Sequence, residues 1–283
     1  MNLLCDMHVH SRNSHDSNSL VEKTAKYCLE NGVYAFAVTD HCDIQYYKEH
    51  DIPACIEGSV TDAETAKREY DGRVKVLRGI EIGEAIWNKS YTEEILKKFD
   101  YDVIISSVHA VRYNEYTVPY STIDFSKMTP QSLDEYVKTY FDEVLTMINE
   151  VDFDIMAHLT CPLRYIVGKY GINLDLKKYE AQICKILDRV IEKSIAMEIN
   201  TSELSGNYGS FMPDEWIVSK FKEKGGYIVT LGSDAHVSEN VAKDFDKAID
   251  MLEKHGFDGY FYYEGRNKVF VKFDGENKKS SNQ

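Results

Sequence analysis

No two cysteines of this chain stand in a CxxC pair; the six (Cys5, Cys28, Cys42, Cys55, Cys161, Cys184) are scattered. Several lie in apolar runs, so they read as reduced thiols rather than a disulfide frame. Positive charge is also short: 33 Lys and Arg face 47 Asp and Glu, a net charge of −14. That balance argues against a surface built to follow a nucleic-acid backbone, and no basic stretch interleaved with aromatics offsets it. No apolar run approaches the roughly 20 residues needed to span a bilayer, and the first residues lack a basic-then-apolar signal pattern. The expectation is a cytoplasmic protein without a membrane or nucleic-acid partner. An acidic chain can still take an anionic substrate, provided metals or a local Arg/Lys cluster reverse the sign at the site. No internal repeat or linker breaks the chain, which predicts one domain over residues 1–273 and a frayed polar tail over 274–283.

With 43% hydrophobic and 28% charged residues in 283, the chain has ample material for a core. Apolar, β-rich segments fall near 3–9, 33–39, 74–82, 103–109, 154–159, 196–200 and 227–232. Near-continuous runs such as Ile228-Val229-Thr230-Leu231 fit strands covered on both faces, as in parallel sheets. Helical patterns lie between them. Ser19 is placed to cap a helix that stops at Gly32, and Thr61-Asp62-Ala63-Glu64 reads as a capping box before a second helix stopping near Gly72. Pro213 suits the first turn of a helix ending near Gly225-Gly226, and longer helices fit 131–150 and 176–193. The region 112–128 has no period and predicts a long loop over the active face, while 260–273 reads as a closing hairpin. Strand and helix alternate, which specifies an α/β architecture with a parallel sheet.

Histidine placement carries the chemistry. His8 and His10 stand two apart at the end of the first apolar segment, so a strand would point both to one face. The remaining strand ends repeat that setting, with His41, His109, His158 and the pair Asp234 and His236, while Glu81 ends the third segment. In a barrel of βα units catalytic groups gather at the C-terminal ends of the strands, which would bring these side chains into one mouth. Imidazoles and carboxylates without thiolate favour Zn, Mn or Fe over Ca or Mg. His50 and His255 sit in polar surroundings and read as solvated.

The ordered motifs Asp6-Met7-His8-Val9-His10-Ser11, Ser14-His15-Asp16-Ser17, Thr39-Asp40-His41, Gly79-Ile80-Glu81, Ser107-Val108-His109, Ala157-His158-Leu159, Glu198-Ile199-Asn200-Thr201-Ser202 and Gly232-Ser233-Asp234-Ala235-His236 run through nearly the whole chain. In this order the chain resembles the PHP (polymerase and histidinol phosphatase) superfamily of metal-dependent phosphoesterases, in its histidinol-phosphatase branch. The resemblance implies a distorted (β/α)7 barrel in one domain, with two to three divalent ions. It further implies that His8, His10, Glu81 and Asp234 hold one ion and that Glu81 bridges to a second with His109 and His158. A third would lie among Asp16, His41 and His236. On spacing, Asp16 takes the ligand position, with His15 beside it as the alternative or as a substrate-binding group.

Three dications against three carboxylates leave a surplus of roughly +3 by formal count, which suits a phosphomonoester dianion. Water activated by the ions would be the nucleophile, with Glu81 and Asp234 in the catalytic set. Arg164, six residues after His158, would grip the phosphate, and Asn200 would donate to the same anion or to the substrate's polar end. The branch implies L-histidinol phosphate as substrate, in histidine biosynthesis. Another small phosphate ester, a nucleic-acid 3′ end, and a non-catalytic metal-binding module remain alternatives at this level.

Overall fold

The structure, a computed structural model, describes residues 3–46 and 52–274; His50 and the tail from residue 275 lie outside them. The strands are β1 (Leu4–Val9), β2 (Val33–Val38), β3 (His41–Asp43), β4 (Lys75–Gly83), β5 (Val103–Ser107), β6 (Ile155–Met156), β7 (Ala196–Asn200), β8 (Val229–Gly232), β9 (Gly259–Glu264) and β10 (Asn267–Lys272). Seven of them run parallel in the order β1-β2-β4-β5-β6-β7-β8 and form a nearly closed barrel. Their near-continuous burial matches the apolar runs of the sequence, since helices cover the outside and side chains fill the inside.

Two features distort the barrel. β2 stops at Val38 and its path resumes as the short β3, which the sequence reading did not separate. β3 pairs with the end of β4 so that His41 stands opposite Glu81 and Asp43 opposite Gly83. The second feature is the seam between β1 and β8, where the described residues show one bridge, Val9 to Ala235, with the His10 N–H donating to the Ala235 carbonyl at 2.9 Å. Asp6 closes the rest. Its carboxylate accepts from the Ser233 N–H and hydroxyl at 3.0 and 2.5 Å and from the Ala242 N–H at 2.8 Å. Complete burial pushes its pKa up to about 6, against the pull of these hydrogen bonds.

The helices are α1 (Val21–Glu30), α2 (Ile52–Glu69), α3 (Lys89–Lys98), α4 (Pro130–Glu150), α5 (Glu180–Glu192), α6 (Glu215–Glu223) and α7 (Phe245–Lys254). α5 shows the rule: Ile183, Ile186, Leu187 and Val190 recur at helical spacing and are buried together. Helix starts departed from expectation in three places. Ser19 does not cap α1; its hydroxyl meets that of Ser238 at 2.8 Å, and Leu20 holds the capping position without a side-chain bond. Thr61 lies inside α2, where its hydroxyl donates to the Glu57 carbonyl at 2.7 Å, an alternative that lets threonine sit mid-helix. Pro213 precedes α6, which Asp214 caps by accepting from the Ile217 N–H at 3.1 Å. α3 and α7 were not anticipated.

The 112–128 region is more ordered than a bare loop. It holds three short 3₁₀ turns, Asn114–Tyr116, Tyr120–Thr122 and Phe125–Lys127, pinned by the buried Tyr120, Ile123 and Phe125. At the opposite end of the barrel β9 and β10 form the expected hairpin, turning through Gly265 and Arg266 with φ of 55° and 61°. The Tyr260 hydroxyl accepts from the Cys5 N–H at 2.9 Å and donates to the Leu3 carbonyl at 2.6 Å. The hairpin therefore plugs the end where β1 begins and leaves the other end open. Among the described residues no helix is long and apolar enough to cross a membrane.

Candidate metal centre

All nine residues expected to ligate metal meet at the open end. Glu81, at the end region of β4 and fully buried, is the hub. One oxygen lies 3.0 Å from His158 Nε2 and 3.2 Å from His109 Nε2. The other lies 2.8 Å from His41 Nδ1, 3.3 Å from His8 Nε2 and 3.6 Å from His10 Nε2. Asp234, at φ 52° just after β8, approaches His10 at 3.2 Å and His8 at 3.8 Å. Asp16, partly exposed at the rim, lies 3.0 Å from His236 Nε2 and 3.6 Å from His41 Nε2. The donor atoms cluster as His8–His10–Asp234, His8–Glu81–His158, His41–Glu81–His109 and His10–His41–His236. His41 thus stands close to Glu81 as well as to Asp16, because β3 pairs with β4 at that point.

Proton placement tests whether cations fit. The Nδ1–H of His8 donates to Glu198 at 2.7 Å, and that of His10 donates to the Ser14 hydroxyl at 3.1 Å. His109 Nδ1–H donates to Asp43 at 2.9 Å, and His236 Nδ1–H to the Asp234 carbonyl at 2.9 Å. With Nδ1 committed in all four rings, each Nε2 points a lone pair into the cavity. There the Nε2 atoms of His8 and His10 face each other at 3.1 Å, and others face carboxylate oxygens. His41 Nδ1 and Glu81 Oε2, both buried, face each other at 2.8 Å in a geometry that makes no hydrogen bond. Lone pair against lone pair is repulsive unless protons or metal cations lie between. The donor set, imidazole with carboxylate, fits zinc, manganese or iron.

Without metal, protons fill that role. Burial pushes His8 toward neutrality, but Glu198, Glu81 and Asp234 outweigh it and raise its pKa well above the usual value. His109 and His41 are raised in the same way, against burial, by Glu81 and Asp43. His10 goes the other way, to about 3, through burial and the neighbouring His41 and His236. Glu81 and Asp234 are held well below the carboxylate range despite burial, by His8 and the other rings around them.

The remaining expected site residues fall in different places. Arg164 opens a π-helical turn (Arg164–Lys169) beside the cavity; its guanidinium donates to Glu203 at 3.1 and 3.3 Å and comes within 3.6 Å of Asp234. His15 stays at the rim, half exposed, with its ring 5.2 Å from that of His41. Asn200 is fully buried; its amide donates to Glu198 at 3.3 Å and its oxygen accepts from the Ser202 N–H and hydroxyl. Both its polar ends are thus occupied within the protein. His255, read as solvated, instead lies partly buried 2.8 Å from Glu215.

Sequence reasoning missed the carboxylates behind the ligands. Asp43 orients His109, and Glu84, at φ 49°, accepts from the His109 and Ala110 N–H groups. Burial and the neighbouring Asp43 push the Glu84 pKa up to about 8. Asp40 gathers Ser11 and Ser14, so that the Ser14 hydroxyl donates to Asp40 at 2.8 Å while accepting from His10 and the His41 N–H. Glu198 was quoted in a motif but given no role. A signal existed: it is the lone carboxylate in the wholly buried β7, flanked directly by Met197 and Ile199.

The ligands open onto a cavity of about 350 Å³, walled by Tyr120, Ser121, Thr122, Cys161, Arg164 and Tyr165 among others. The 3₁₀ turn Tyr120–Thr122 supplies one side, so the 112–128 region does face the site.

Known proteins match this sequence and fold. The chain is 29% identical over 270 residues to a protein of Thermotoga maritima named a probable histidinol-phosphatase, covering 95% of this chain and 99% of that one. It is 26% identical to the histidinol-phosphatase of Lactococcus lactis subsp. lactis, covering 94% of this chain and 98% of the other. The solved structure of a histidinol phosphate phosphatase from Lactococcus lactis subsp. lactis, complexed with zinc, L-histidinol and phosphate, superposes with a TM-score of 0.80 at 22% identity. It covers 94% of this chain and 98% of that one, and shares the barrel fold. The family model of the PHP domain matches residues 6–202, more than half of the sequence, and the chain belongs to the PHP domain family.

Proposed function

We propose that the protein is a metal-dependent phosphomonoesterase that hydrolyses L-histidinol phosphate to L-histidinol and phosphate in histidine biosynthesis, in the cytoplasm. The observation that carries the reading is the convergence of imidazole lone pairs and three carboxylates beside a cavity that Arg164 overlooks. The names of full-length relatives at 26–29% identity supply the substrate.

Two to three zinc, manganese or iron ions held by His8, His10, Asp16, His41, Glu81, His109, His158, Asp234 and His236 would supply an acidified water and positive charge for the phosphoryl oxygens. The chain's own groups do the rest. Arg164, braced by Glu203, presents its guanidinium to the phosphate as a charged donor. Asp234 orients the attacking water; as its oxygen bonds to phosphorus the P–O bond to the alkoxide breaks, and a proton of that water passes to the alkoxide. Tyr120 and Tyr165, with ring centres 5.5 Å apart and planes inclined at 45°, offer an aromatic wall to the substrate's imidazole. Asp43, outside the nine ligands, lines the cavity and favours the substrate's cationic amine.

The test is phosphate release from L-histidinol phosphate by protein loaded with zinc, manganese or iron, beside sugar phosphates, nucleotides and 3′-phosphorylated single-stranded DNA. Release from histidinol phosphate above all others, abolished by a chelator and restored by metal, is the expected result. Preference for another ester would replace the substrate, and metal uptake without any hydrolysis would leave a binding module.

A further inference from the structure

Glu198 touches no cavity-facing ligand atom, yet it holds two ligand residues from different strands. One carboxylate oxygen accepts the Nδ1–H of His8, at the end of β1, at 2.7 Å. The other accepts the backbone N–H of His158, just beyond β6, at 2.6 Å, where His158 has φ of 20°. The carboxylate is 1% exposed and fits a slot with no spare room. A Cβ at Gly232 would overlap Glu198 Oε1 and lie 2.8 Å from His8 Cβ, so the glycine on β8 exists to admit this contact. Asn200 steadies Oε2 from the side.

We infer that Glu198 is a positioning residue that fixes the tautomer of His8 and the placement of His158, so that both turn Nε2 toward the shared carboxylate Glu81. An imidazole has one lone pair when neutral, and a proton held on Nδ1 leaves that pair on Nε2. Remove the acceptor and the proton is free to move to Nε2, where it blocks ligation. The same loss frees the His158 backbone. One side chain therefore governs two members of the His8–Glu81–His158 cluster, while Asp16, His41 and His236 lie outside its reach.

Glu198→Gln is the discriminating variant because it keeps shape and changes only donor pattern. Its amide has one acceptor for two N–H groups. If the oxygen takes the His158 N–H, the NH₂ meets His8 Nδ1 and drives the proton to Nε2. If the amide flips, NH₂ opposes the His158 N–H. Either way one ligand is lost. The inference rests on the metal-centre reading, so zinc is measured rather than turnover.

Zinc titration should show affinity at the cluster lowered by about 10–100-fold in Glu198→Gln, the usual cost of losing a group behind a ligand, with the most exposed site near Asp16 unchanged. Nitrogen NMR of the zinc-loaded wild type should show His8 protonated at Nδ1, which needs no variant and holds if Glu198→Gln does not fold. A His8 proton at Nε2, or full zinc affinity in a folded Glu198→Gln, would overturn the inference while leaving the metal centre intact. A wild type that takes up neither zinc, manganese nor iron would end both.

Discussion

Glu81→Gln is the sharpest perturbation of the centre. The oxygens of Glu81 lie 2.8–3.6 Å from nitrogens of five imidazoles, and the side chain is wholly buried. Among the described residues no other carboxylate lies this close to all five of these rings. At an effective dielectric near 20, one unit charge removed about 4 Å from an opposite unit charge costs about 4 kcal/mol. Relief of the carboxylate's own desolvation returns part of that. A net loss of about half, ~2 kcal/mol, is roughly thirtyfold in affinity for each zinc that Glu81 would contact. Folding should survive, because the imidazoles around it can shed the protons that Glu81 stabilises. The assay is zinc content by elemental analysis, with affinity by competition against a chromophoric chelator and melting followed by circular dichroism. Asp16→Asn, at the rim, serves as the contrast and should weaken one zinc only. A folded Glu81→Gln with wild-type zinc content and affinity would refute the hub reasoning.

Zinc uptake should release protons at neutral pH. His8, His41 and His109 have pKa values raised well above the usual imidazole value in the metal-free chain, so they carry protons that a metal must displace. Apparent zinc affinity should therefore rise with pH between about 6 and 8, and calorimetry in buffers of different ionisation enthalpy should count the protons; a flat profile contradicts it. Arg164→Ala should leave zinc content unchanged and raise KM for L-histidinol phosphate by about 10–100-fold, the worth of a charge-assisted hydrogen bond. An unaltered KM would remove Arg164 from the phosphate site. Tyr260→Phe, at the plugged end, strands the Cys5 N–H and should lower stability by about 1–3 kcal/mol in urea unfolding without changing zinc affinity. Equal stability would show that the hydroxyl is not the tie between hairpin and β1.

Legibility followed residue type and local period. The strands were readable because a parallel barrel buries both faces, so its strands stand out as apolar runs; β7, for example, spans Ala196–Asn200 as expected. β3 was not, since three residues carry no period, and its loss hid the proximity of His41 to Glu81. α2 was misread at its start because Thr-Asp-Ala-Glu fits a capping box equally well inside a helix. α7 follows a run of turns after Asp234 and has Asp244 ahead of it at φ 60°, with no side-chain cap to announce it.

The chain's own letters settled which donors exist: imidazoles and carboxylates at strand ends, in an order that a barrel must bring to one mouth. That follows from periodicity and from the rule that strand ends of such a barrel converge. Only the folded barrel decided which nitrogen of each ring is free to bind. Glu198 for His8, Asp43 for His109 and Ser14 for His10 make that choice, each across a loop or from a different strand. A proton's position on a ring depends on what faces its far side, and no local pattern in the sequence states that.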